Sequence, residues 1–373
     1  MTEPPPPDAR RPELAANAPS PPRVPEVSRI AGDRCRAHWA TLAAPKGSLG
    51  VLERLATRFA EARGTFPVPL PEGAPTTCIA VFAADHGVVA EGVSSYPSSV
   101  TAAVVATIAR GRATVNALAR AAGAELRLFD VGLHDGHAPF PKDPEIRIAR
   151  CRVRAGTNNL RREAAMSAAE AEAAVAVGIR AASELDKFDA LGVGEVGIGN
   201  TTSAAALVCA LTGLDPRDVV GRGAGLSDEG LARKIEVVRE ALRRVASRDP
   251  IHLLGEVGGL ELAAMAGFIV GAARARRLVV LDGFLACASA LVAREMDPNV
   301  GSYLVASHHS TERGAEAALR ALGLEALMTL GLGVGEGTGA ALGLSLLRSA
   351  LAVEREVATL TTVLSREDSH GEP

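Results

Sequence analysis

Residues 188–213 read FDALGVGEVGIGNTTSAAALVCALTG, and this stretch decides the fold class. A short apolar run passes into glycines at 192, 194, 197 and 199, and the sequence continues from Thr202 as an alanine-rich helical stretch without a break. A buried strand that turns sharply into a helix is the repeating unit of an α/β fold. The same texture recurs on both sides of it, as CIAVFAADHG at 78–87, ELRLFDVGL at 125–133, RLVVLDG at 277–283, SYLVASHH at 302–309 and ALMTLGLGVGEG at 326–337. The alternation predicts a parallel sheet with right-handed crossovers, whose ligands sit beyond the carboxyl ends of the strands.

Composition agrees with this architecture and narrows the partners. The 373 residues are 47% hydrophobic but only 3% aromatic, which suits buried parallel strands crossed by alanine-rich helices and not base-stacking platforms. A formal net charge of -3 gives no basic field for nucleic acid or an acidic membrane, so any anion must be met locally. The five cysteines, at 35, 78, 151, 209 and 287, form no CxxC or Cys/His cluster and read as free thiols in a reducing compartment. With no signal-like start and no long uncharged apolar run, a cytoplasmic location is expected.

Composition shifts divide the chain. Nine prolines fall within the first 25 residues, so 1–26 is expected to be a disordered extension. Residues 27–75 read as helices around a turn at Pro45-Lys46-Gly47, with Ser48 as the expected cap of the second. The α/β unit is expected over 76–340, a C-terminal helix over 341–365 and a frayed polar tail over 366–373.

Three segments could carry chemistry. In the first, Gly197, Ile198, Gly199, Asn200, Thr201 and Thr202 occupy a strand-to-helix turn, where free N–H groups and the helix dipole favour an anion. The letters nearly fit a nucleoside-triphosphate loop, but Asn200 stands where its lysine belongs, which leaves a monophosphate site or a merely tight junction. In the second, Gly221, Arg222 and Gly223 form a flexible loop before a helix capped by Ser227 or Asp228. Lys234, near that helix's second turn, either pairs with a phosphate or carboxylate or is solvated. The third is GLGVGEGTGA at 331–340, where Glu336 is the one ionisable residue among alternating glycines. Apolar surroundings at a strand tip would raise its pKa toward that of a useful base.

Asp85-His86 and Ser307-His308-His309-Ser310 with Glu312 carry no hydrolase elbow or HExxH companion, so structural or substrate-contact roles are favoured over metal binding. Neither a metal nor a cofactor is expected. Asp130 and Asp282 also end strands and are candidates for capping the turns that follow them.

In order and identity these motifs resemble the nicotinate-nucleotide:dimethylbenzimidazole phosphoribosyltransferase family. The resemblance covers about residues 44 to 350. It includes PKGSLGVLERLA at 45–56, AADHGVVAEGVSSYPSSVT at 83–101, GRATVNALAR at 111–120, GVGEVGIGNTT at 192–202 and VGRGAGLSDEGLARK at 220–234. It continues through GGLELAAMAG at 258–267, LDGFLACASAL at 281–291, SHHSTERG at 307–314 and GEGTGAAL at 335–342.

The resemblance implies a Rossmann-like, three-layer α/β domain, a smaller helical lobe built from both chain ends, and a homodimer. It implies transfer of the phosphoribosyl group of nicotinate mononucleotide to a benzimidazole base, with Glu336 as general base. Residues 197–202 and 221–223 would meet phosphate and ribose, Glu195, Lys234 and Asp85 would be supporting charges, and Ser94, Tyr96, Val100 and Val196 would belong to the base pocket. Three positions depart from the family pattern: Ala84 for a glycine, Gly333 for an arginine and Ala315 for a histidine. A non-catalytic base-binding protein of the same fold is the alternative.

Overall fold

In the computed structural model, which describes residues 23–135 and 141–367, the chain enters through two helices, α1 (Arg29–Trp39) and α2 (Val51–Arg63). Ser28 caps α1 by accepting from the Ala31 amide. The turn before α2 uses two left-handed glycines, Gly47 (φ 76°) and Gly50 (φ 49°). They carry the helix start past Ser48, which makes no cap; Gly50 holds the N-cap position without a side-chain hydrogen bond.

The first half of the sheet follows: β1 (Thr77–Ala84), α3 (Ser99–Ala109), α4 (Thr114–Ala122), β2 (Glu125–Gly132) and β3 (Ile148–Arg150). The chain then passes through α5 (Ala168–Glu184) to β4 (Ala190–Val196), and on through α6 (Asn200–Thr212), α7 (Pro216–Val219), α8 (Asp228–Leu242), α9 (Pro250–Val257) and α10 (Leu260–Arg274). Beyond these lie β5 (Leu278–Leu281), α11 (Phe284–Met296), β6 (Leu304–His308), α12 (Ala315–Leu322) and β7 (Ala326–Met328). Two helices close the described chain, α13 (Thr338–Glu356) and α14 (Leu360–Glu367).

All seven strands are parallel, in the order β3-β2-β1-β4-β5-β6-β7. Every residue of β1 and β4 is buried, as a strand covered on both faces requires. Phe82 packs on Phe268 of α10, ring centroids 5.5 Å apart. Ile79, three residues away and so on the opposite face, lies under Gly337 at the start of α13. Thus α10 and α13 cover opposite sides of one sheet. The α/β sheet expected from the sequence is present; β3, three residues at its edge, is too short to leave a pattern.

The chain leaves β1 toward β2 in one direction and returns to the other side of β1 at β4. That reversal opens a crevice at the strands' carboxyl ends, where ligands bind in such folds. The two chain ends meet far from it. Leu42 bridges Thr359, the Ala43 amide donates to the Ala358 carbonyl at 2.8 Å, and Trp39 Nε1 donates to Glu354 Oε2 at 3.1 Å. α13 packs against α2 as well as against the sheet.

Residues 24–26, which the composition places in the extension, are seated on the fold. Val24 is buried, its amide donates to Asp297 Oδ2 at 2.7 Å, and Tyr303 Oη donates to the Pro25 carbonyl at 2.9 Å. Residues 1–22 of the expected extension and 368–373 of the expected tail lie outside the described residues. No helix among those described is long and apolar enough to cross a membrane.

Candidate active site

Beyond the carboxyl ends of β4, β5 and β6 lies a cavity of about 200 Å³. One wall is the turn from β4 into α6. Gly199 adopts φ 92° at the α6 N-cap, and α6 has no side-chain cap and no acidic residue in its first turn. Its leading amides are therefore not neutralised by a carboxylate from α6, and the positive end of the helix faces the cavity through Asn200 and Thr201. Gly197 sits against the Ala84 carbonyl and Glu261, where a Cβ would collide.

Lys234 stands behind this turn, fully buried. Its Nζ donates to Thr201 Oγ1 at 2.8 Å and to the Gly221 carbonyl at 3.2 Å, tying the α6 start to the 221–223 loop. Burial pulls its pKa down to about 8, with Glu312 opposing the shift. These two contacts use two of its three N–H bonds.

The opposite wall is the segment before α13. Gly335, Glu336 and Gly337 are all left-handed, with φ of 78°, 64° and 92°. For a glutamate this conformation costs about 1–2 kcal/mol, so something must hold it. Asp282, just after β5, does so: its Oδ2 accepts from Gly337 N at 2.9 Å, and its Oδ1 from Gly339 N at 2.6 Å and Ala340 N at 3.3 Å. Gly194 in β4 is packed so closely under this segment that a Cβ there would run into the Gly337 amide.

Glu336 lines the cavity, and its buried Oε2 has no hydrogen-bond partner. Burial raises its pKa above the ordinary carboxyl range, the Val115 amide opposes this, and the charge of Asp282 adds to it. Glu195 also faces the cavity and is pushed up to about 8, first by burial and then by Glu261 and Asp282, against the amide of Asn200. Glu195 is buried and accepts from Asn200 Nδ2, whereas Glu336 is only half-buried on the cavity wall. Beneath them, His86 Nε2 and Glu261 Oε1 pair at 2.6 Å in full burial.

Most of the residues singled out in the sequence converge here. Gly197, Ile198, Gly199, Asn200, Thr201 and Gly223 line the cavity, as do Glu195, Glu336, Ser94 and Val196. Thr202, Gly221 and Lys234 stand directly behind the wall. Four lie elsewhere. Arg222 turns outward, donating to the Leu226 carbonyl and pairing with Asp228. Asp85 accepts from Ser98 Oγ at 2.7 Å and from His134 N at 2.8 Å, joining two loops. Tyr96 is 49% exposed, and Val100 is half-buried in the first turn of α3.

Of the departures, only Gly333 lines the cavity, and a Cβ there would meet Thr311 Oγ1. Sequence reasoning assigns no site role to Phe284, at the start of α11, or to Asp282 as the holder of the 335–340 segment. Asp282 and His308 do end strands, and that position is the available signal.

A family model described as phosphoribosyltransferase matches residues 24–363. The nicotinate-nucleotide–dimethylbenzimidazole phosphoribosyltransferase of Chromobacterium violaceum is 46% identical over 333 residues, 88% of this chain and 94% of that one. The enzyme of the same name from Deinococcus radiodurans is 47% identical over 87% of this chain and 89% of its own. A crystal structure of CobT from Thermus thermophilus superposes with a TM-score of 0.83 at 41% identity, covering 90% of this chain and 98% of that one.

Proposed function

Because the chain belongs to the nicotinate-nucleotide–dimethylbenzimidazole phosphoribosyltransferase family, we propose that it moves the phosphoribosyl group of nicotinate mononucleotide onto dimethylbenzimidazole or a related base. The products are nicotinate and α-ribazole 5′-phosphate, the nucleotide of the cobalamin lower ligand. The observation that carries this reading is Glu336, a strained, partly desolvated carboxylate whose Oε2 is buried without a partner on the cavity wall.

The chemistry needs little else. Nicotinate leaves C1′ from a pyridinium, and the bonding pair that departs with it neutralises the ring. A base nitrogen supplies the pair for the new C1′–N bond from the opposite face, which converts the β-nucleotide to an α-product, and the proton on the base's other nitrogen passes to Glu336. Holding C1′ between the two nitrogens is the remaining requirement. The α6 start, Thr201 and Lys234 suit the phosphate, and Ser94 and Val196 suit the base. Arg222 is paired outward, so its expected phosphate contact has no support in this geometry.

The same premise makes a cytoplasmic homodimer the proposed working form, acting on small molecules alone. Exposed Leu330 and Val334 beside the cavity mouth support an interface there. Incubating the protein with nicotinate mononucleotide and dimethylbenzimidazole, followed by mass spectrometry, tests the activity. Stoichiometric nicotinate and α-ribazole phosphate are expected. Binding of both compounds by the folded protein, with no turnover on any of several bases, would instead establish a non-catalytic binder.

A further inference from the structure

Among the described residues three carboxylates have a buried oxygen with no hydrogen-bond partner: Glu261, Glu312 and Glu336. Leaving a buried acceptor unsatisfied is costly, and a charged one more so. Glu261 lies behind the cavity and its other oxygen is bound to His86. Glu336 is assigned the proton of the incoming base. Glu312 has no such role, yet it lines the cavity.

Its surroundings define what it can hold. Glu312 Oε2 presses on Gly221, where a Cβ would collide with it, and the Gly221 carbonyl accepts from Lys234. The carboxylate therefore sits beside the ammonium that ties the α6 start to the 221–223 loop, and it supports that ammonium's charge. Its Oε2 has no hydrogen-bond partner among the described residues. A second anion cannot be its ligand. A carboxylate accepts only, so the ligand must bring donors, and they must lie within a few bonds of the phosphate. On a nucleoside monophosphate those donors are the ribose hydroxyls.

Resting on the transferase reading, we infer that Glu312 is a nucleotide-binding residue that accepts hydrogen bonds from the ribose hydroxyls of the phosphoribosyl donor. Lys234 and Thr201 fix the phosphate at one end, Glu312 fixes the sugar, and C1′ is thereby turned toward Glu336. Gly221 is required between them because any side chain there would displace the carboxylate.

The test is calorimetric binding of nicotinate mononucleotide and of its 2′-deoxy and 3′-deoxy forms to wild type and to Glu312→Gln. Wild type should bind at least one deoxy form about 10- to 100-fold more weakly than the parent, the range of a hydrogen bond to a charged acceptor. Glu312→Gln should lose a similar factor on the parent and less than about threefold on that deoxy form. Equal binding of all three nucleotides by wild type overturns the inference without any variant. So does an equal loss on parent and deoxy nucleotides in Glu312→Gln, because Glu312 would then be acting through Lys234. Failure of the transferase reading looks different: nucleotides bind as described, but no nicotinate is released.

Discussion

Two glycine-rich turns, β4 to α6 and β7 to α13, look alike in sequence and are electrostatic opposites. Each brings glycines to a helix N-terminus against the same cavity. At α6 no acidic side chain caps the leading amides. At α13 the carboxylate of Asp282, more than fifty positions earlier, takes the amides of Gly337, Gly339 and Ala340. The first turn keeps a positive end for an anion. In the second that end is already neutralised by Asp282, so its amides do not draw in the Glu336 carboxylate, which the turn presents to the cavity instead. Glycine spacing sets how closely the backbone approaches; the charge behind it sets what the turn binds.

Removing the difference gives the largest expected effect. Asp282→Ala frees three buried amides, so urea unfolding should show a loss on the order of 3 kcal/mol or more, with turnover nearly abolished as the left-handed 335–337 segment relaxes. An unchanged stability would mean that water or another group satisfies those amides. Weakening the other turn comes next. Lys234→Met should raise the KM for nicotinate mononucleotide about 10- to 100-fold and leave the KM for the base within about threefold.

The pH dependence separates binding from stability at the same lysine. Lys234 titrates at about 8 in the folded protein and at about 10.4 when unfolded. Between those values the unfolded chain binds more protons, so this group adds stability as pH rises through the window. Nucleotide affinity should fall over the same range, because the ammonium is being lost. Glu195 has the reverse sign: its pKa is raised to about 8, so the folded state binds more protons from the ordinary glutamate range up to there, and its contribution to stability declines as pH rises. Calorimetric titrations and denaturant midpoints at pH 6, 8 and 9.5 measure both.

The contact between the turns is probed by Gly194→Ala, whose new methyl would meet the Gly337 amide. A loss of about 1–3 kcal/mol is expected. The smallest effect should come from Arg222→Ala. Since Arg222 pairs with exposed Asp228, nucleotide KM should change by less than about threefold; a tenfold rise would bring Arg222 back into the site.

How much of this is legible in the sequence follows from what sequence encodes locally. Six of the seven strands are readable because each is an apolar run that ends in a glycine or polar residue, and Glu336 stands out as the one ionisable residue among glycines. Lys234 is legible as a residue but not as a buried one, since its burial depends on two loops closing over it. Asp282 reads as a strand-ending carboxylate able to cap a turn. That it caps α13 instead of its own next turn depends on β5 lying between β4 and β6, which no local pattern contains. Glu312 reads only as a neighbour of two histidines, because its significance lies in what fails to bond to it.

The central claim, that one turn binds the donor's phosphate while the other supplies the base, is tested most directly by comparing wild type with Glu336→Gln under saturating substrates. The amide is the same size and keeps the left-handed backbone. The expected kcat of Glu336→Gln is lower by roughly 10²- to 10⁴-fold, with the Kd for nicotinate mononucleotide within about threefold of wild type. A kcat within tenfold of wild type across pH 6–9 would contradict that claim and move the proton transfer to another group.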